Sequence, residues 1–345
     1  MDKIKLIDIC NPKQWKTIAT SQLLDDGKFP VYGANGIIGY YNEFNHEDTT
    51  VLITCRGATC GNVHISIPKS YINGNAMALD NLNEKLCLKE YLYYFLNYYD
   101  MTKIISGSAQ PQITIQGLKK IYVKVYSIEE QKNIIKILNK IKKVIDLKEK
   151  QVTNLDNIIK SQFVEMFGDP YFNEQNWKIG TISNLVADVK YGTSKPSKDG
   201  GKYKYLRMNN ITYNGKLDLT DIKYIDIPEN EIEKCSTEKG DVLFNRTNSR
   251  ELVGKTCVYD RDEKMVIAGF VIRVRVNDLA NPYFLSEYLN TKYMKKNFYN
   301  MCKNASGQSN INAKELQNIK IYIPPIELQN QFADIVKQID KQKFE

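Results

Sequence analysis

Ile128-Glu129-Glu130-Gln131-Lys132-Asn133-Ile134-Ile135-Lys136-Ile137-Leu138-Asn139-Lys140-Ile141, continuing without Pro or Gly to Phe167, is the stretch that decides how this chain folds. Its apolar residues recur in steps of four and three: Ile134, Leu138, Ile141, Ile145, Val152, Leu155, Ile159 and Met166, with Lys148 and Gln162 filling the remaining places. That spacing is a period of about 3.5 residues, the seam of a coiled coil. Lys132, Lys136, Lys140, Lys142, Lys143, Asp146, Glu149 and Lys150 lie between the seam positions and face water in this register. One helix over 128–167 would be a rod about 60 Å long, at a rise of ~1.5 Å per residue. A seam of this kind needs a partner helix.

The partner begins near the other end of the chain. Shifted by 198 residues, the sequence matches itself without a gap. Ser108-Ala109-Gln110-Pro111-Gln112-Ile113 meets Ser306-Gly307-Gln308-Ser309-Asn310-Ile311. Leu118, Ile121, Val123 and Val125 meet Leu316, Ile319, Ile321 and Ile323; Ile128-Glu129 and Gln131 meet Ile326-Glu327 and Gln329. The seam carries on, with Ile134, Leu138 and Ile141 falling on Phe332, Val336 and Ile339. Solenoid units run about 20–50 residues, so a period this long is a duplicated domain. The expected organisation is a first domain over 1–126, a spacer helix over 127–167, a second domain over 168–325 and a second, shorter helix over 326–345.

Each half is long enough for its own core within the 345 residues. Hydrophobic content of 42% with 26% charged residues is ordinary for a globular chain. No apolar run reaches a membrane span, and Met1-Asp2-Lys3 does not open a signal peptide. The seven cysteines, Cys10, Cys55, Cys60, Cys87, Cys235, Cys257 and Cys302, form no C-x-x-C pair and read as reduced thiols in a cytoplasm. With His46 and His64 alone available, a zinc site is not expected. The net charge of +8 permits nucleic-acid binding but is equally a means of solubility.

Both halves alternate strand and helix signals, an α/β (α+β) pattern. Thr50-Val51-Leu52-Ile53-Thr54 reads as a buried strand opening into a loop with Arg56. Asp241-Val242-Leu243-Phe244 does the same ahead of Asn245-Arg246-Thr247-Asn248-Ser249-Arg250, so Arg56 and Arg246 correspond with one residue of slack. Lys89–Asp100 reads as a helix whose face of Leu92, Phe95, Leu96 and Tyr99 packs on a core rather than stacking on bases. Lys190 to Tyr205 reads as a Lys-rich loop, Met265–Val276 as a strand and Pro282–Tyr299 as a helix. The candidate DNA contacts of the first half are Lys28, Tyr32, Asn35, Arg56 and Asn75. Those of the second half are Arg207, Asn209, Asn210, Arg246, Asn248 and Arg250, with Lys190, Lys195, Lys198, Lys202 and Lys204 on phosphates. Arg suits guanine and Asn suits adenine, and Lys suits the backbone. Arg56, alone in its half, has a plainer reading as a surface ion pair, and the Lys residues as a solvated loop. Gln110 and Gln308 fit turns as well as contacts.

Enzymatic motifs fail in detail. Gly254-Lys255-Thr256 ends like a phosphate-binding loop, but Ser249 stands where the first Gly belongs and no helix follows. Asn281-Pro282-Tyr283-Phe284 lacks one Pro of the amino-methyltransferase signature and opens a helix instead. Asp262-Glu263-Lys264 has nuclease-like spacing without an acidic partner, and neither His has an acid–base context.

The chain resembles the specificity subunit of type I restriction–modification systems over nearly its whole length. The residues that carry the likeness are Phe29-Pro30-Val31-Tyr32-Gly33-Ala34-Asn35-Gly36-Ile37-Ile38-Gly39, Val242-Leu243-Phe244-Asn245-Arg246-Thr247, Ile326-Glu327-x-Gln329 and Ser161-Gln162-Phe163-x-x-Met166-Phe167-Gly168-Asp169-Pro170, together with the duplication. The resemblance implies two target recognition domains separated by long helices that pack as an antiparallel coiled coil. It implies a non-catalytic chain that reads a split, asymmetric DNA sequence and docks two methyltransferase subunits, with restriction/translocase subunits joining them. S-adenosylmethionine, ATP and Mg would belong to those partners, leaving no cofactor here. The chain departs from the family in its second helix, which ends at Glu345. On this reading Lys148, Val152, Leu155, Ile159 and Met166 lack counterparts, so the pair is half formed or completed by another chain. The rival readings are a shortened assembly or decoy module for methyltransferase subunits, and a divergent methyltransferase or nuclease.

Overall fold

The computed structural model describes the chain except for residues 1, 35, 108–109, 303–307 and 344–345. The candidate Asn35 and the matched residues Ser108, Ala109, Ser306 and Gly307 therefore lie outside the described residues. Two compact units emerge, Met1–Leu147 and Lys148–Glu345.

The first unit contains β1 (Asp2–Lys5), α1 (Leu6–Ile9), β2 (Asn11–Gln14), β3 (Phe29–Gly33), β4 (Gly36–Tyr41), β5 (Val51–Thr54), β6 (Val63–Ile65), β7 (Tyr71–Ile72), β8 (Ala76–Asp80), α2 (Lys89–Tyr98), α3 (Ile115–Leu118), β9 (Tyr122–Val125) and the start of α4 (Ile128–Phe167). After α4 the second unit adds β10 (Lys178–Thr181), β11 (Val186–Tyr191), β12 (Tyr203–Leu206), β13 (Lys223–Ile225), α5 (Glu229–Cys235), β14 (Val242–Asn245), β15 (Thr247–Asn248), β16 (Thr256–Val258), β17 (Val266–Ile267), β18 (Val271–Val276), α6 (Pro282–Asn290), α7 (Lys292–Met301), β19 (Ser309–Asn310), α8 (Ala313–Gln317), β20 (Lys320–Ile323) and α9 (Ile326–Gln342).

The duplication extends to the sheets. Strand order β2-β8-β5-β6 in the first unit repeats as β11-β18-β14-β16 in the second, and β4-β3-β7 repeats as β13-β12-β17. The pairs β3/β7 and β12/β17 are both parallel. The central strands β5 and β14 are buried along their whole length, so they read as unbroken apolar runs rather than alternating ones. Each unit has its own core: Ile53, Leu92, Leu96 and Val123 in the first, Phe244, Phe284, Phe298 and Phe332 in the second.

The repeated Ile-Glu-x-Gln motif has a structural cause. Gln131 is fully buried; its amide donates to the carbonyls of Leu86 and Tyr126 and accepts from Leu88 N–H. Gln329 repeats this with the Leu279 and Pro324 carbonyls and Asn281 N–H. Leu88 and Asn281 are the caps of α2 and α6, so one glutamine side chain ties the helix leaving each unit to the helix inside it.

The helix α4 opens with a Ser127–Glu130 reciprocal cap. It stops where Gly168, at φ +79°, donates to Val164 C=O. The seam is used unevenly. Ile134 and Ile135 pack on the first unit's core, and Leu138 is half-buried. At the far end Ile159, Phe163 and Phe167 are buried, with Leu155 and Met166 against the same core. Phe332 of α9 lies 5.5 Å, centroid to centroid, from both Phe163 and Phe167. Further on, Lys343 donates to Asp156 at 2.6 Å, so α9 runs antiparallel to α4. This corrects one expectation: Leu155, Ile159 and Met166 do have a counterpart, because an antiparallel short helix covers the far end of its partner. The seam positions left exposed are Ile141, Ile145 and Val152.

Three further expectations change. Pro282–Tyr299 is two helices, broken where the Thr291 hydroxyl caps Met294 N–H. The Met265–Val276 strand is interrupted after Ile267, around Gly269. Lys190 lies in β11 and not in a loop.

Candidate nucleic-acid interface

The strands β5 and β14 deliver the polar loops, and their ladders fix which positions correspond. Val51, Leu52 and Ile53 face Ile65, His64 and Val63. Val242, Leu243 and Phe244 face Val258, Cys257 and Thr256. Counting on, Cys55 matches Arg246 and Arg56 matches Thr247. Hydrogen bonds outside the ladders agree: Cys55 N–H donates to Asn75 C=O and its carbonyl accepts from Ile113, while Arg246 N–H donates to Phe270 C=O and its carbonyl accepts from Ile311. Arg56 bridges Gln112 as Thr247 pairs with Asn310. The Arg56–Arg246 correspondence, expected with one residue of slack, thus uses that slack: in register Arg246 matches Cys55, and Arg56 matches Thr247.

Each loop closes on a left-handed glycine, Gly61 at φ +99° and Gly254 at φ +83°. A Cβ at Gly254 would come within 2.3 Å of the Phe298 ring, so the position admits no side chain.

In the second unit the Arg246 guanidinium lies over the Tyr191 ring at 4.9 Å, and its Nη1 donates to Gly269 C=O at 3.2 Å. Its Nε is buried without a partner among the described residues. Tyr191 and Phe270 are exposed. Asn248 donates to Asn245 and accepts from Ser249 N–H. Arg250 stands apart, over the Tyr299 ring at 3.7 Å with its Nε on Tyr299 C=O. Asn209 is exposed. Arg207 is occupied by Asp221, whose carboxyl it holds below the usual range. Asn210 is buried, accepting from Arg207 N–H and donating to Asp218 C=O, so it fixes a turn and is not free to read a base.

The expected phosphate contacts are mostly ion-paired. Lys195 holds both oxygens of Glu231 at 2.8 and 2.9 Å, and Lys204 holds Glu263 at 2.8 Å. Lys198 pairs with Asp226 and keeps that carboxyl low; Lys190 and Lys202 lie 3.3 and 3.7 Å from Asp188 and Glu229. Apart from Asp188, two residues from Lys190, these acids are distant in sequence from their lysines, and the strand and loop pairing that brings them together has no local signal.

In the first unit Lys28, Arg56 and Asn75 are exposed. Tyr32 is buried, its hydroxyl accepting from Ile67 N–H, so it belongs to the scaffold. Gln14 was not foreseen. It ends β2, is exposed, and its amide donates to Gly74 C=O and to Cys55 Sγ, both at 3.0 Å. A lone Gln in a short strand carries no local signal.

No three His, Cys, Asp or Glu converge as metal ligands among the described residues. A cleft of about 320 Å³ in the second unit is lined by Asp156, Lys216, Asp340 and Lys343, whose charges neutralise one another. Among the described residues no helix is long and apolar enough to cross a membrane.

A family model for the type I restriction modification DNA specificity domain matches residues 1–157 and 174–345. A putative type I restriction enzyme MjaX specificity subunit from Methanocaldococcus jannaschii is 32% identical over 171 residues, covering 48% of this chain and 40% of that protein. The MjaVIII specificity subunit of the same organism is 23% identical over 317 residues, 85% of this chain and 73% of that one. The chain thus spans well under half the length of the first of these relatives. The crystal structure of a type I restriction–modification S subunit from M. genitalium shares the fold, with a TM-score of 0.60 at 18% identity over 99% of this chain and 90% of that one. With two stretches of the chain matching the same model in tandem, as the repeated sheets do, this protein belongs to the type I restriction–modification DNA specificity family.

Proposed function

We propose that the chain reads a bipartite, asymmetric sequence in double-stranded DNA, one half-site per unit, and directs partner methyltransferase and restriction subunits to it. Residues 1–126 and 168–325 act as target recognition domains, and 127–167 with 326–345 as the helical spacer. The observation that carries the reading is one strand-end frame built twice on the same strand order, with different polar side chains at matched positions. A duplicated frame with unlike readers is what an asymmetric split target requires.

Arg56, Asn75 and Lys28 serve the first half-site; Arg246, Asn248, Arg250 and Asn209 serve the second. Arg207, Asn210 and Tyr32 shape the loops behind them. The exposed seam around Ile141 and Ile145 supplies apolar area for a methyltransferase subunit, and S-adenosylmethionine, ATP and Mg stay with the partners. Nuclease footprinting of the full chain on a target duplex tests this. Two protected patches with a fixed unprotected gap are expected, and a single continuous patch would sink the proposal.

A further inference from the structure

We propose that Gln14 is a specificity-determining residue of the first unit, offering its side-chain oxygen to an exocyclic base amine at the place where the second unit offers the Arg246 guanidinium. The assignment rests on reading each unit as a recognition domain for DNA.

The ladders bring the two side chains to one place. Gln14 faces Met77, and Met77 faces Ile53. Tyr191 faces Ile272, and Ile272 faces Phe244. Ile53 and Phe244 are matched positions, so Gln14 and Tyr191 are matched as well. The same argument on the parallel pairs matches Gly74 with Gly269, since Ile72 and Ile267 hold the same register beside Tyr32 and Leu206. One carbonyl is thus bound in both units. In the first, Gln14 reaches Gly74 C=O from the edge strand. In the second, Arg246 reaches Gly269 C=O from the central strand.

The chemistry left over differs in sign. A carbonyl only accepts, so Gly74 fixes the Gln14 amide with its NH2 inward. The second amide hydrogen goes to Cys55 Sγ, whose own S–H donates to Asn75 C=O at 3.2 Å. Burial raises the Cys55 pKa and keeps that thiol protonated. Both Gln14 donors are spent, and Oε1 accepts from no described residue. Gln14 therefore cannot make the two-bond contact with adenine, which needs a free donor and a free acceptor together. It can accept one hydrogen bond, from adenine N6 or cytosine N4. Arg246 has donors only, which suit guanine O6 and N7 or thymine O4. One frame in two copies asks one half-site for an amine and the other for a carbonyl.

The test selects the full chain against a randomised duplex library and sequences what is retained. In the wild type, one base pair of one half-site should be preferred, read through the amine of its adenine or cytosine. Gln14→Leu should reduce that preference about fivefold, leaving the other columns and the other half-site unchanged. Gln14→Asn, shorter and still polar, should do the same and guards against a packing artefact of leucine. Replacing that base by its analogue without the amine should weaken wild-type binding and leave Gln14→Leu unaffected. The assignment is overturned if Gln14→Leu weakens all sequences alike or changes no column, or if the amine-free analogue is bound by the wild type as well as the normal base. A wild type that enriches no sequence at all would overturn the DNA reading itself, and Gln14 with it.

Discussion

Lys295 is a lysine whose surroundings disfavour its charge. It lies on α7 with its ammonium donating to Gly254 C=O, and burial pushes its pKa down to about 8, Lys255 and Lys160 adding to the effect and Glu287 opposing it. An unfolded lysine titrates near ~10.4. Between about pH 8 and ~10.4 the unfolded chain therefore holds more protons, and stability rises with pH across that window. Below about pH 8 the full penalty is present. The buried thiols of Cys10, Cys87 and Cys257, pushed up to about 12, slope the other way. They are common to wild type and Lys295→Met, so the difference between the two proteins isolates the lysine. Urea unfolding should show the wild type gaining on the variant by about 2 kcal/mol from pH 7.5 to 10; a flat difference would refute the placement. At this scale the sequence was least informative. Residue types pointed to Arg and Asn as readers, but Asn210 is spent on a turn and Lys195 on Glu231, 36 residues away. Arg273, fully buried between Asp188 and the Ser236 carbonyl, had no sequence signal beyond its place in a β pattern.

Elements were far more legible, because period and punctuation are local. The span Ile128–Phe167 follows from a seam without Pro or Gly and a Gly-Asp-Pro stop. The seam also shows the limit of such reading: it identifies a surface made for a partner but not which part is covered. Direction decided that, since α9 lies on Asp156–Phe167 and leaves the middle of α4 exposed. Two substitutions at seam positions, one covered and one exposed, should therefore behave oppositely. Phe332→Ala empties a site closed by Phe163 and Phe167, and should cost about 3–5 kcal/mol in urea unfolding. Ile141→Glu, at a seam position in the middle of α4, is half exposed and should change stability by less than about 0.5 kcal/mol. Its effect should instead appear as lost co-purification with methyltransferase subunits. Similar stability losses at both positions would mean that the middle of the helix is covered after all.

For the whole molecule, the duplication was visible where 108–141 meets 306–339 and in the strands ahead of Arg56 and Arg246, although the strand orders match throughout. Sheet order survives because it depends on which runs are apolar and where the turns fall, and both tolerate changes in residue identity. The reading side chains had no such constraint, and the frame that holds Arg246 in one copy holds Cys55 with Gln14 in the other. Each unit keeps its own core, and the hydrogen-bond partners of Arg246 share no residue with the bridge made by Arg56. Substitutions with no shared partners add in free energy to within about 0.5 kcal/mol. Binding of the full chain to its target should therefore weaken in Arg56→Ala/Arg246→Ala by the sum of the two single losses. Each single variant should relax one half-site only. A double variant no weaker than the worse single one would mean that the two loops form a single reading surface, and the division of labour between the copies would have to be abandoned.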